Sequence, residues 1–334
     1  MGGGTTQNGG SAGSSGSGGN SAGSAGSEPA GFAGDTGEGG TAGEGASDTC
    51  EFGTTRCLSR RETCSSDGIW VQSDDWCTIA LAGSNEAPAM CALRANGEIM
   101  CFGGNTVAAF EPFPTVPGAV SLSVADDSRV PGPLCALTSE HVFRCYGSSG
   151  EFAFDHVQAA ATGMMGACFA DGMGIRCERG TIEAPTLEAE GTFTKLVMGH
   201  EMLFALRDDG TLVQHGLILG EFPDEPYIDV ATSGVGACVV REDGFVRCIP
   251  ELAMPEVLQV PYRKVALEHN GYACAIRRDD GGIDCWGPES SPFYPPEGSF
   301  TQIAATWGGM CAVRTDGTTA CFNMTVGFRV PQGW

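Results

Sequence analysis

The stretch Cys311-Ala-Val-Arg-Thr-Asp-Gly-Thr-Thr-Ala-Cys321 is the pattern that most of the chain repeats. It predicts two short β-strands joined by a tight Asp-Gly turn, because glycine accepts the positive φ that such a turn requires. One cysteine stands at each outer end of the predicted hairpin. Five further copies keep both cysteines: Cys91 to Cys101, Cys135 to Cys145, Cys168 to Cys177, Cys238 to Cys248, and Cys274 to Cys285.

A seventh copy, from Phe204 to Gln214, keeps the Asp-Gly turn and lacks both cysteines. Their joint loss indicates that the two cysteines of a copy are partners. Directly opposed residues of an antiparallel pair lie about 4.5 Å apart at Cα, at the near edge of the range that a disulfide accepts. We therefore predict six disulfides within hairpins. Buried free thiols and zinc are the alternatives, although the C-x-x-C spacing of many zinc sites does not occur.

The composition favours a location outside the cytosol. Sixteen cysteines in 334 residues favour an oxidising compartment. A net charge of −23 argues against nucleic acid and anionic membrane surfaces as partners. No apolar run is long enough for membrane insertion. The chain opens Met1-Gly-Gly-Gly4, without the features of an export signal. We expect an export signal, such as one of the lipoprotein type, to have been removed or to lie upstream, and we expect an extracellular or cell-envelope location.

Composition divides the chain into three parts. Residues 1–48 are rich in Gly, Ser and Ala and too poor in apolar residues to offset their ordering entropy, so we expect a disordered tether. Residues 49–77 form a small segment with Cys50, Cys57, Cys64 and Cys77, which needs two disulfides to be stable. The sequence leaves open which of the three possible connectivities they adopt.

The hairpin copies fill the third part, residues 78–334. They begin at residues 91, 135, 168, 204, 238, 274 and 311, in steps of 44, 33, 36, 34, 36 and 37 residues. Such a period indicates a propeller or a solenoid. With four short strands in each of seven units, closure into a ring leaves few open sheet edges. The predicted fold is therefore all-β, a seven-bladed β-propeller.

Several copies match a known repeat beyond the turn. The matching stretches are Ile303-Ala-Ala with Gly308-Gly-Met-Cys-Ala-Val-Arg-Thr-Asp-Gly317, Cys285-Trp-Gly287, Cys145-Tyr-Gly147 and Cys101-Phe-Gly-Gly-Asn105. They resemble the RCC1-like (regulator of chromosome condensation) repeat, and the resemblance covers about 78–334. It implies a seven-bladed β-propeller, which in that family closes by strand exchange between the chain ends. The usual Gly-Gln-Leu-Gly step is missing here, and the cysteine pairs are additional.

The family includes an intracellular exchange factor for the GTPase Ran and a secreted β-lactamase inhibitor. The acidic, cysteine-rich composition is similar to the extracellular bacterial type, so we do not expect exchange activity. No two of the five histidines share a metal-ligand spacing. Acidic pairs such as Asp208-Asp209 stand at hairpin turns, where turn formation accounts for them. We expect no catalytic residue, cofactor or metal.

The connections between hairpins combine aromatic residues with prolines and carboxylates, a composition typical of protein-binding surfaces. The alternative is that the aromatic rings fill the gaps between neighbouring sheets. The candidate binding residues are Phe110, Phe113, Phe152, Phe154, Phe222, Tyr227, Phe293 and Tyr294.

The predicted function is that of a secreted or surface-tethered, non-catalytic, monomeric propeller that binds an unidentified protein through its inter-blade loops. The alternative is an enzyme or carbohydrate-active propeller with a site at one mouth of the central channel. A cluster of inward-pointing carboxylates or histidines at one mouth would favour the alternative.

Overall fold

The computed structural model describes most of the chain after residue 49. The described residues are 50–84, 88–103, 112–125, 133–147, 150–163, 166–179, 187, 189–200, 202–216, 220–234, 236–250, 260–288, 294–324 and 330. They belong to one compact unit, Asp48–Trp334. The predicted tether, together with Phe110 and Phe293, lies outside the described residues.

Within the described residues the chain forms 25 strands and no helix, as the all-β prediction requires. None of these residues belongs to a helix of the length and apolarity needed to cross a bilayer. Every strand pairing is antiparallel.

The first three strands make a small N-terminal sheet: β1 (Thr55–Cys57), β2 (Arg60–Cys64) and β3 (Trp70–Trp76). Disulfides join Cys50 to Cys64 and Cys57 to Cys77, which selects one of the three connectivities that the sequence allowed. The two tryptophans are covered by cations, with the Arg56 guanidinium 4.2 Å from the Trp70 ring and that of Arg60 4.4 Å from the Trp76 ring.

The remaining strands form seven sheets in the described residues, numbered here sheet 1 to sheet 7 along the chain. Sheet 1 is β4 (Thr78–Gly83), β5 (Met90–Arg94) and β6 (Ile99–Phe102); sheet 2 is β7 (Ala119–Val124), β8 (Leu134–Thr138), β9 (Phe143–Gly147) and β10 (Gly150–Phe154); sheet 3 is β11 (Ala159–Gly163), β12 (Gly166–Ala170) and β13 (Ile175–Arg179). Sheet 4 is β14 (Phe193–Met198), β15 (Met202–Arg207) and β16 (Leu212–Gly216); sheet 5 is β17 (Tyr227–Thr232), β18 (Ala237–Arg241) and β19 (Val246–Ile249). Sheet 6 is β20 (Tyr262–Leu267), β21 (Ala273–Arg277) and β22 (Ile283–Trp286); sheet 7 is β23 (Phe300–Thr306), β24 (Gly309–Arg314) and β25 (Thr319–Phe322).

The sequence predicted four strands for each unit, and sheet 2 has them. The other six sheets show three strands in the described residues. The segments that follow their third strands fall partly outside the described residues.

Each repeat cysteine lies directly opposite its partner on the second and third strands of a sheet, as in the pair Cys238 and Cys248. All six pairs form disulfides, with Cα atoms 3.9 to 4.1 Å apart. This is the pairing that the repeat pattern predicts. In sheet 4 the same register places Phe204 opposite Gln214.

The hairpin turns of sheets 4 to 7 join each of these sheets to the next one around the ring. The glycine of the turn has a positive φ, +84° at Gly210 and +91° at Gly244. Its carbonyl oxygen accepts a hydrogen bond from the first residue of the next sheet, 3.0 Å from Gly210 O to Tyr227 N and 2.8 Å from Gly244 O to Tyr262 N. A Cβ at Gly244 would also collide with Pro261, so the turn needs glycine for space as well as for φ.

The first strands of successive sheets contact one another in order, and β23 contacts β4, so the seven sheets close into a ring. The hydrophobic core lies between adjacent sheets as a series of clusters rather than as one centre. Each described sheet, including sheets 1 and 7, is formed by consecutive strands. The strand exchange that the resemblance implies is therefore not seen in the described residues.

The N-terminal sheet covers the junction between sheet 7 and sheet 1, called here the closure junction. Thr78 N donates to Gly317 O at 3.1 Å, the same bond that joins sheets 4 to 5, 5 to 6 and 6 to 7, and Ala95 N donates to Cys77 O at 2.9 Å. A Cβ at Gly317 would collide with Cys57 Sγ. The Cys57–Cys77 disulfide therefore packs directly on the hairpin turn of sheet 7.

Candidate functional site

Two of the candidate aromatic residues are buried between sheets 4 and 5. Phe222 is 6% exposed and Tyr227 is 2% exposed. The Phe222 ring centroid lies 6.1 Å from that of Tyr227 and also 6.1 Å from that of Phe204. The Tyr227 hydroxyl donates to Pro223 O at 2.7 Å, and burial beside Glu225 raises the pKa of Tyr227 to about 12. As placed, these rings fill the gap between sheets, the alternative role that the sequence left open.

Three further candidates are half-buried. Phe113 packs on the cluster between sheets 1 and 2. Phe154 stacks on Phe169 with ring centroids 4.4 Å apart, and Phe152 meets Phe154 edge-on at 5.6 Å. Each of these rings divides its surface between the core and solvent.

Tyr294 is the exposed candidate among the described residues, with 73% of its surface open to solvent. Its backbone N–H lies 3.4 Å from Asn323 Oδ1, which links the connection before sheet 7 to the residue after β25. The ring itself is therefore presented outward from a connection that is joined to the rest of the fold.

The ring of sheets encloses a channel. A cavity of about 210 Å³ is lined by residues of all seven first strands, mostly Ala, Val, Leu and Ile. Lys195 is the charged residue in this lining. Among the described residues no group of three or more His, Cys, Asp or Glu side chains is arranged to hold a metal ion.

Lys195 belongs to a charged cluster with Asp229 and Lys264. Lys195 Nζ lies 2.6 Å from Asp229 Oδ1, and Val265 N donates to Asp229 Oδ2 at 2.9 Å. Asp229 is 4% exposed. Its carboxylate thus joins the first strands of sheets 4, 5 and 6, because both oxygens bind a neighbouring strand.

Local backbone geometry places the cluster. Lys195, Asp229 and Lys264 are each the third residue of a first strand, and each follows a break in the pairing register with the second strand. Such β-bulges re-aim the side chain that follows them. Counted in the same way, the third residues of sheets 1 and 7 are Ala80 and Gln302. The charge is therefore confined to one arc of the ring.

Lys264 is the unsatisfied member of the cluster. Its side chain is half-buried, and it has no hydrogen-bond or ion-pair partner among the described residues. Burial lowers the pKa of the Lys264 ammonium; the charges of Lys195 and Arg263 lower it further, and Asp229 opposes them. Lys195 and Lys264 are the two lysines of the whole chain.

The sequence matches no family model and no curated protein. Solved structures do match. The CRINKLY WD40 ectodomain of the Arabidopsis thaliana receptor kinase ACR4 is 19% identical, with a TM-score of 0.58 over 75% of this chain and 97% of that chain. The entire ectodomain of the Physcomitrella patens receptor kinase CR4 is 17% identical, with a TM-score of 0.55 over 77% of this chain and 75% of that chain. The chain is a β-propeller.

At the other end of the propeller's channel, polar groups tie sheets together. Glu268 is fully buried and accepts from Gly308 N at 2.8 Å and from Asn270 N at 2.7 Å. Trp307 N donates to Ser84 O at 3.0 Å across the closure junction. Glu268, at this end of the channel, is therefore a structural link between sheets 6 and 7.

Sequence reasoning missed the charged cluster of the propeller. Its members are 34 and 35 residues apart, so no local motif contains them. The available signal was the second position after Phe193, Tyr227 and Tyr262, which can be read only by aligning the strands that precede the hairpins. The cluster is basic overall, whereas the expected sign of a channel site was a group of carboxylates or histidines.

Proposed function

We propose that the protein is a seven-bladed, RCC1-type propeller that works outside the cell as a monomeric, non-catalytic module binding another protein through its inter-blade loops. Seven sheets in the described residues support the blade count. The matching repeat stretches support the family type.

Two kinds of observation support the extracellular location. All eight cysteine pairs of the chain form disulfides, a state that persists in oxidising compartments. The two similar solved structures are named as ectodomains of receptor kinases. The cysteines contribute nothing to reactivity in this state, since no free thiol is left.

The observation that carries the binding proposal is the exposure of Tyr294. Tyrosine is enriched at the centres of protein interfaces because its ring supplies contact area at a small entropic cost. A ring that is 73% exposed contributes little to the core, so its position on an inter-blade connection favours contact with a partner.

Photocrosslinking tests the proposal. A benzophenone amino acid replaces Tyr294 in the full chain, and the variant is produced in the protein's native environment. In the matched control the same amino acid replaces Phe245, which is 40% exposed at a hairpin turn. We expect a discrete crosslinked protein from position 294 alone, and Tyr294→Ala to weaken its binding by about 2 kcal/mol or more. Identical products from both positions, or none from position 294, would contradict the proposal.

A further inference from the structure

We infer that the Cys57–Cys77 disulfide, called here the clasp, is a redox-sensitive device that secures the closure junction. In the oxidised state it holds the N-terminal sheet on that junction, and its reduction by a dithiol frees the sheet and loosens the ring. The inference concerns how the ring is closed and not what it binds, so it does not depend on the loop surface proposed above.

Cys77 occupies a position that recurs just before the first strand of a sheet. In sheets 5, 6 and 7 the carbonyl oxygen of this residue accepts a hydrogen bond from the hairpin turn of the same sheet, and the residues are Pro226, Pro261 and Ser299. In sheet 1 the same bond runs from Ala95 N to Cys77 O. The closure junction is therefore built like the others, with a cysteine where they have proline or serine.

What packs on the turn glycine distinguishes the closure junction. A Cβ at Gly244 would meet Pro261, the single residue in the recurring position. A Cβ at Gly317 would meet both Cys57 and Cys77. Cys57 is the last residue of β1, so the clasp ties the N-terminal sheet to the residue immediately before sheet 1.

The other contacts between the N-terminal sheet and the ring are weak. None of the seven hydrophobic clusters formed by described residues contains a residue of 50–77. A cavity of about 290 Å³ separates parts of the two, and its lining includes the charged residues Arg61, Asp75 and Arg94. Thr55 Oγ1 reaches Asp316 Oδ2 only at 3.5 Å. A sheet this small also needs crosslinks to fold, so its position on the ring depends on the clasp.

The clasp is the bridge that a reductant can reach with the least disturbance of the ring. All twelve hairpin cysteines belong to the hydrophobic clusters or pack against them, so their reduction requires the core between sheets to open. Cys57 and Cys77 are in none of these clusters, and Cys57 is half-buried in the peripheral sheet. Local movement of that sheet is enough to expose the bridge.

The reaction is thiol–disulfide exchange with a dithiol. One reagent thiolate attacks a sulfur of the clasp and forms a mixed disulfide, and the second reagent thiol then displaces the protein. The Cys57–Cys77 bond breaks and both residues become thiols. The reagent supplies the two electrons and two protons and closes to a cyclic disulfide.

The order of reduction gives the first test. The full oxidised chain is treated with dithiothreitol, newly formed thiols are alkylated at intervals, and the modified cysteines are identified by peptide mass spectrometry. We expect Cys57 and Cys77 to be modified about tenfold faster or more than Cys238 and Cys248, because the latter need the core to open. Equal rates, or faster modification of the hairpin pair, would overturn the inference.

Hydrogen exchange at matched amides gives the second test. Thr78 N and Ala95 N make the bonds of the closure junction, and Tyr227 N and Glu242 N make the equivalent bonds of sheet 5. After selective reduction and alkylation of the clasp, the first pair should exchange about tenfold faster or more and the second pair should be unchanged. Unchanged exchange of the first pair, or equal acceleration of both pairs, would overturn the inference.

A variant and a matched control separate the clasp from the other bridge of the same small sheet. The clasp is removed by Cys57→Ser with Cys77→Ser, and the control removes the second bridge by Cys50→Ser with Cys64→Ser. Only the clasp variant should show faster exchange at the closure junction. Equal acceleration in the control would overturn the inference. If the clasp variant fails to fold, exchange in the selectively reduced parent decides the question.

Discussion

Sheets 4 and 5 stabilise the same position of the hairpin in different ways. At one position of the hairpin, sheet 5 has the Cys238–Cys248 disulfide, and sheet 4 has Phe204 opposite Gln214. Both hairpins have the same register and both turns place glycine at positive φ. The disulfide is therefore not what forms the hairpin; the turn and the strand pattern do that, and the disulfide is added to them.

The buried phenylalanine and the disulfide act on different states of the chain. Phe204 is fully buried and meets Phe222 edge-on, so it stabilises the folded state through packing. A disulfide acts mainly by reducing the entropy of the unfolded chain, by about 2–3 kcal/mol for a loop of this length in the entropic description. This difference can be measured, because only the disulfide changes the size of the unfolded ensemble.

The largest effect is expected from Phe204→Ala. Truncating a fully buried phenylalanine removes its packing and leaves a cavity, which costs about 3–5 kcal/mol. Denaturant unfolding of the oxidised protein should show this loss with an unchanged m-value. Phe245→Ala, at an exposed turn, is the control and should change stability by less than about 0.5 kcal/mol. Equal effects of the two substitutions would mean that sheet 4 does not depend on this ring.

A smaller loss, about 2–3 kcal/mol, is expected when the disulfide of sheet 5 is removed by the double substitution Cys238→Ala and Cys248→Ala. The m-value should rise, because the unfolded chain without this crosslink exposes more surface. Denaturant titration gives both quantities. A loss of stability with no change in m would place the effect of the disulfide in the folded state instead.

Replacing the phenylalanine packing of sheet 4 by a disulfide should give no net gain in stability. The double substitution Phe204→Cys and Gln214→Cys should form a disulfide, since the two residues are directly opposed. Reducing that bridge should cost about 2–3 kcal/mol, but the oxidised variant should be no more stable than the parent because the phenylalanine packing is lost. Thiol titration and denaturant unfolding test this, and a bridged variant clearly more stable than the parent would refute it.

The smallest expected effect comes from the turn carboxylates. Asp280 accepts from Arg277 and from Gly282 N, which lowers its pKa to about 2, and Asp209 of sheet 4 has a lowered pKa through its bonds to Thr211. A carboxyl group whose pKa is lower in the folded than in the unfolded chain stabilises the fold at pH values above its unfolded pKa of about 3.9. This contribution is lost as the pH falls through the folded pKa.

Unfolding measured between pH 4 and pH 2 should therefore be less dependent on pH in Asp280→Asn than in the parent. Asp209→Asn should change the dependence less, because the pKa of Asp209 is lowered mainly by hydrogen bonds from Thr211, whereas Asp280 also accepts hydrogen bonds from the Arg277 side chain. A larger change in Asp209→Asn would reverse the order proposed for the two turns.

The sequence reveals the parts of this fold that are local. An Asp-Gly turn and a cysteine at each end lie within about eleven residues, so a hairpin can be predicted from a single copy. The disulfide pairing can be predicted by comparison with the copy that lacks both cysteines. The position of aromatic side chains depends instead on the path of the connections. Phe222 turns inward between sheets and Tyr294 turns outward, although both stand beside prolines.

The charged cluster could not be predicted for a related reason. Lys195, Asp229 and Lys264 come together only because the ring places equivalent strand positions side by side. The connectivity of the N-terminal cysteines is also tertiary. Cys57 and Cys77 are paired where they pack on Gly317, a contact with the far end of the chain.

That contact has a mechanical meaning. A load that enters the described part of the chain at Cys50 passes at once through the disulfide to Cys64 and then through the small sheet to Cys77. Covalent sulfur bridges thus limit how far the segment can extend before tension reaches Thr78. The closure junction therefore lies behind a crosslinked segment whose extension is limited.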